Sequence, residues 1–151
     1  MAGRRFSILV TVGVFVLGVI VGAFLFSRTQ RRSLLAVAEC DQCLAPNEIS
    51  GLVASVLVQR TPGVIPKVIE TDRTLVVRHP MPQAPHHYVL LPKRDIKNIG
   101  RIAPGDEAYL VDLMAVAARL VREDKMSEYR LWTNGPGEQA VGYLHFHLAG
   151  R

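Results

Sequence analysis

Cysteine is scarce in this chain. Its 151 residues hold two, Cys40 and Cys43. That is too few for a disulfide framework, and no second pair completes a four-thiolate zinc site, so the redox compartment stays open. Acid is missing from residues 1–32, which carry five arginines: Arg4, Arg5, Arg28, Arg31 and Arg32. Those five account for the whole formal net charge of +5, and residues 33–151 balance at 13 basic and 13 acidic side chains. The pI of about 9.6 thus belongs to one terminal segment, and no nucleic-acid partner is expected. No internal repeat or low-complexity tract is present, and the length allows one domain plus an appendage.

Charge is also absent from Phe6 to Phe26. As a helix this run would span about 31 Å, the thickness of a bilayer's hydrocarbon core. It is longer than the apolar region of a signal peptide, and its exit, Ala23-Phe24-Leu25-Phe26-Ser27-Arg28, lacks a small-x-small cleavage site. The expectation is an uncleaved, single-pass transmembrane helix flanked by arginines, with residues 1–32 as a membrane anchor. Gly18 and Gly22 form a Gly-x-x-x-Gly that would let two such helices approach closely.

Residues 33–61 read as a linker and a short amphipathic helix. Asn47 can cap it, and Ile49, Leu52, Val53, Val56 and Leu57 fall on one face at helical spacing. Pro62, Gly63 and Pro66 break the chain. Beyond them, Thr74-Leu75-Val76-Val77 is a strand, and Pro80 to Pro85 is a loop because proline cannot join a central sheet. His87 to Lys93 is a buried strand closed by Pro92. Asp106 to Asp124 carries Leu110, Leu113, Met114, Ala117, Leu120 and Val121 at 3.6 spacing and is the main helix. Tyr129 to Thr133 is a strand, Asn134 to Glu138 a turn, and Gln139 to Arg151 a last strand. Strands, one long helix, then two strands give an α+β fold with an antiparallel sheet.

The last strand carries the chemistry. Val141, Tyr143, His145 and His147 alternate with apolar residues, so His145 and His147 leave the same face, roughly 6.5–7 Å apart. Two imidazoles side by side are costly to bury without partners. They read either as core histidines bonded to backbone or as a catalytic pair. A neutral imidazole can attack an anionic phosphoryl centre without the repulsion an anionic nucleophile meets, and a second imidazole can hand a proton to the leaving group.

This stretch resembles the signature of the histidine triad (HIT) superfamily, His-φ-His-φ-His-φ-φ with φ apolar. Tyr143 stands in place of the first histidine. Gln139, six residues before His145, and the closing Leu148-Ala149-Gly150-Arg151 match the flanks of that motif. Gly63 to Asp72 is similar to the opening Ile-Pro and strand of HIT domains. Pro82-Gln83-Ala84-Pro85 followed by His87 to Lys93 looks like the family's His-φ-φ-φ-φ-Pro-Lys strand.

The resemblance implies a HIT-like domain over residues 62–151 and a hydrolase or nucleotidyl transferase working through a nucleotidyl-histidine intermediate. It assigns His145 as nucleophile and His147 as phosphate and leaving-group partner, with His87 and Tyr143 supporting them. Asn134 and Gln139 match residues that contact phosphate and ribose. The partners it implies are a purine nucleotide or nucleotide conjugate and a second copy in a homodimer, with no cofactor required. Cys40-x-x-Cys43 resembles a pair that binds zinc with two histidines in some bacterial members. Those histidines fall near Asp95 and Tyr143 here, so free thiols or a local disulfide are the alternatives to zinc. The expected activity is nucleoside phosphoramidate hydrolysis on a membrane-anchored, cytoplasmic domain. The alternatives are hydrolysis of a nucleotide-linked lipid such as a CDP-lipid, and a catalytically weak nucleotide-binding or scaffold module.

Overall fold

The structure, a computed structural model, describes residues 2–26, 45–60 and 62–151. Among these residues three α-helices, α1 (Ala2–Phe26), α2 (Pro46–Arg60) and α3 (Glu107–Glu123), accompany five strands: β1 (Ile69–Glu70), β2 (Thr74–Arg78), β3 (His86–Pro92), β4 (Tyr129–Trp132) and β5 (Phe146–Gly150). The strands form one antiparallel sheet in the order β1-β2-β3-β5-β4. The last strand in sequence therefore lies between β3 and β4.

α3 covers one face. Leu113, Val116, Ala117 and Leu120 are its buried residues, at the i, i+3, i+4 and i+7 spacing of a single helix stripe. They pack on Val76, Tyr88, Leu90, Phe146 and Leu148, which project from alternate positions of β2, β3 and β5. The stripe is rotated slightly from the sequence expectation: Val116 is buried and Met114 is 40% exposed. Asp106 precedes α3 without capping it through its side chain. Buried instead, it accepts from Ala103 N–H at 2.9 Å and Arg94 Nε–H at 2.8 Å, which ties the loop after β3 to the start of α3.

The opposite face carries a smaller core of Val58, Leu75 and Tyr143, flanked by Ala54, Ile65, Val77, Leu91 and Val141. α2 reaches it with a different face from the one its apolar spacing suggested. Gly51, Ser55 and Val58 are buried, whereas Ile49 and Val53 are exposed. Asn47 does not cap the helix. α2 begins at Pro46, a residue suited to a first turn because it lacks an N–H, and Ala45 O accepts the N–H groups of Glu48 and Ile49. The Asn47 carbonyl instead accepts Gly142 N–H at 2.8 Å. This backbone contact sets the helix rotation: a Cβ on Gly51 would lie 2.5 Å from Gly142 O. Gly51→Ala is therefore expected to destabilise the domain by about 2 kcal/mol through overpacking, although alanine is ordinarily the better helix former by about 1 kcal/mol. A urea titration of wild type and variant measures it.

The membrane expectation is corrected. Among the described residues no helix is long and apolar enough to cross a membrane. The transmembrane helix, and the single-pass membrane localisation with a cytoplasmic domain that rested on it, are withdrawn. α1 meets the rest of the chain through Arg60, whose guanidinium donates to Phe24 O at 2.9 Å and lies 4.7 Å over the Phe24 ring. Cys40 and Cys43 lie outside the described residues.

Candidate active site

The sheet face turned away from α3 is organised in rows set by strand register. Val77, Val89, His147 and Trp132 are successive partners across β2, β3, β5 and β4. Beside that row, His87 pairs with Ala149 and Ala149 with Arg130. His79, just past the end of β2, donates its N–H to His87 O at 2.9 Å. Four histidines and the only tryptophan thus meet at one end of this face: His79, His87, His145, His147 and Trp132.

His145 stands immediately before β5, which begins at Phe146. The sequence expectation of one strand from Gln139 is therefore corrected: residues 139–145 are irregular. Val141 and Tyr143 belong to the smaller core and do not share a strand face with the histidines. The histidine pair nevertheless converges, with ring centroids 5.1 Å apart and planes at 72°.

Hydrogen bonds assign the tautomers. His145 Nδ1 is 2.7 Å from Tyr143 O. A carbonyl can only accept, so Nδ1 carries the proton and Nε2 keeps its lone pair. Gln83 N–H donates to His87 Nδ1 at 3.2 Å, which leaves the proton of neutral His87 on Nε2. That nitrogen lies 3.3 Å from His147 Nδ1 and donates to it, so neutral His147 holds its proton on Nε2. The site offers an imidazole lone pair on His145 and an N–H on His147.

His147 is buried, with its ring stacked 4.9 Å from Trp132 at 15°. Burial, helped by neighbouring His145, His79 and His87, lowers its pKa to about 4. His87, 3% exposed, is also held below the usual histidine range, chiefly by burial and then by His79. The sign for stability follows. As pH falls, unfolded chains take up protons near pH 6.5, whereas folded His147 resists until about pH 4. Stability is thus complete above pH 6.5 and declines through that window. Urea midpoints at pH 7.5 and pH 5 are expected to show the loss, and a smaller one in His147→Gln.

Tyr143 is fully buried. Its hydroxyl donates to Pro92 O, and its own carbonyl accepts from both His145 and Gln139 Nε2, the latter at 2.9 Å. Gln139 also donates to Lys97 O at 3.0 Å. Its amide nitrogen is therefore committed to main-chain carbonyls, and Gln139 acts on the position of Tyr143. Asn134 is half-buried two residues beyond β4. Of the two positions aligned with family zinc ligands, Tyr143 is sealed in the smaller core and does not fit a metal-binding role.

His79 and Trp132 were missed in the sequence. The signal for His79 was period two: Leu75, Val77 and His79 continue one face past the strand's end. Trp132 shares the His147 row only through the β4–β5 register, which no local pattern encodes.

The family described as "Scavenger mRNA decapping enzyme C-term binding" matches residues 57–151. A HIT-like protein of Chlamydia pneumoniae is 37% identical over 91 residues, covering 56% of this chain and 79% of its own. An uncharacterized HIT-like protein of Synechococcus elongatus is 36% identical over 86 residues, covering 55% and 75%. Among solved structures, a HIT family hydrolase of Legionella pneumophila superposes with a TM-score of 0.56 at 33% identity, over 62% of this chain and 89% of that one. A HIT family hydrolase of Clostridium thermocellum gives 0.57 at 28%, over 66% and 89%. A matched family over most of the chain, relatives that align along most of their length, and a shared antiparallel sheet make this chain a member of the HIT superfamily, with hydrolases among its structural neighbours.

Proposed function

We propose that this protein is a nucleotide hydrolase of the nucleoside phosphoramidase or nucleotidyl-transfer type, acting at an α-phosphate. The observation that carries the reading is the Tyr143 carbonyl on His145 Nδ1, which leaves the other nitrogen of His145 as a neutral nucleophile beside the His147 ring. In the reaction His145 Nε2 bonds to phosphorus and the bond from phosphorus to the leaving nitrogen breaks. The phosphate anion makes His147 more basic than it is in the empty site, and His147 gives the departing amine its proton. The nucleotidyl-imidazolium is stabilised by its Nδ1–H on Tyr143 O. Water then attacks phosphorus, His147 takes the water's proton, and the bond to His145 breaks.

His87 positions His147 and Gln139 positions the Tyr143 carbonyl. Half-buried Val77, Val89 and Leu91 offer an apolar floor for a purine, and Asn134 is the proposed ribose or phosphate contact. The half-exposed edge strand β4 is where a second copy would extend the sheet into a homodimer. No cofactor is invoked. With the membrane span withdrawn, the CDP-lipid reading loses the feature that motivated it.

The test is to incubate the full chain with a panel of adenosine and guanosine phosphoramidates. The expected results are release of AMP or GMP and a trapped, acid-labile nucleotidyl adduct on His145. Binding without turnover or adduct would make the protein a nucleotide-binding module. CMP release from CDP-lipid alone would make it a lipid-nucleotide hydrolase.

A further inference from the structure

His79 takes no part in the reaction above, yet its ring lies parallel to His87, centroids 4.2 Å apart at 3°, and 5.4 Å from the His147 ring. One nitrogen from each of these three histidines lies within 4.8 Å of the others. Imidazoles this close cannot all be charged, so each neutral ring keeps one nitrogen lone pair. Neutral imidazole is the form that binds zinc, copper or nickel. We propose that His79, His87 and His147 form a three-histidine site for a divalent transition-metal ion of the zinc class, with a fourth position left to water.

Two ligand nitrogens are already at a suitable separation. His87 Nε2 and His147 Nδ1 are 3.3 Å apart, and two nitrogens about 2.05 Å from a tetrahedral zinc are separated by about 3.3 Å. His79 has the supporting partner that zinc-bound histidines use. Its Nδ1 lies 2.7 Å from Met81 O and 3.1 Å from Met81 N; the closer carbonyl can only accept, so Nδ1 carries the proton and Nε2 is left for the metal. Two adjustments are required. A metal binds in the plane of each ring, so His79 must tilt out of its parallel stack. A metal on His87 Nε2 sends the proton now shared with His147 to His87 Nδ1, where Gln83 N–H must let go of its 3.2 Å contact. Both changes fall on the Pro80–Pro85 loop, whose Pro80, Met81, Pro82, Gln83 and Pro85 are exposed. No proton is lost overall and nothing is oxidised.

The consequence for turnover rests on the reaction proposed above. With Nδ1 on a metal, His147 cannot become the imidazolium that protonates the leaving group, so the bound ion inhibits.

The full chain is titrated with Zn2+ against a chelator and with Co2+ by visible absorption, as wild type, His79→Phe and the Cys40→Ser/Cys43→Ser double variant. His79→Phe retains a flat ring for the stack and removes the nitrogen. The expected result is one ion per chain, Co2+ bands without thiolate charge transfer, no change in the cysteine variant, and a loss of affinity of about 100-fold in His79→Phe. Equal affinity in His79→Phe, loss of binding in the cysteine variant, or no binding at all overturns the site. Circular dichroism verifies that each variant is folded. Metal binding in the expected pattern by a protein that turns over no phosphoramidate would support the site and sink the reaction, so the two fail separately.

Discussion

Replacing His145 with alanine is expected to lower phosphoramidate turnover by about 10⁴-fold or more, because removal of a nucleophile leaves only what binding and charge stabilisation supply. Nucleotide affinity should change by less than about threefold, since the apolar floor and the remaining histidines are untouched. The nucleotidyl adduct should vanish from the mass spectrum. His147→Gln is expected to cost less, about 10²- to 10³-fold, with most of the loss in kcat, and the adduct should still form on substrates whose leaving group needs no proton. Full activity in His145→Ala would sink the assignment.

The second large effect concerns folding. Tyr143→Ala should destabilise the domain by about 4 kcal/mol, the range for removing a fully buried aromatic ring, which is a large share of a typical folding free energy. The thermal midpoint would drop by more than about 15 °C. Tyr143→Phe separates the contributions of the side chain. It retains the ring between Val58 and Leu75 and deletes only the hydroxyl that meets Pro92 O, at a cost of about 1–2 kcal/mol. Its kcat should stay within about threefold of wild type, because His145 is held by the Tyr143 main chain. A kcat loss matching that of His147→Gln would show that the hydroxyl reaches the chemistry.

The elements that the sequence displayed clearly are those whose environment repeats along the chain. α3 meets one flat sheet, so its i, i+3, i+4 stripe could be read directly, apart from the Met114 and Val116 exchange. β3 buries Tyr88 and Leu90 under α3 and half-buries Val89 and Leu91 on its other face, so it shows an unbroken apolar run before Pro92. α2 was misread because its rotation is dictated by Gly51 meeting Gly142, residues far apart in sequence whose backbones touch. Its apolar residues consequently include exposed Ile49 and Val53. The irregular backbone before β5 was hidden by an alternating pattern. Gly142 N–H is taken by Asn47 O and Tyr143 N–H by Val141 O at 2.7 Å, which prevents regular ladder pairing there. The histidine pair was legible because it lies two residues apart, whereas the His79 and Trp132 neighbours depend on which strands pair.

Among the described residues β4 has only β5 as a strand neighbour, and β5 fills the gap between it and β3. A folding chain must therefore hold that slot open, or reopen it, until the most distal strand is threaded in. Before insertion, residues 129–132 have no ladder to join, and the imidazoles lack the backbone carbonyl and stacking surface that orient them. Assembly of the reactive pair is thereby fused to closure of the sheet, so a half-folded molecule would expose no prematurely active centre.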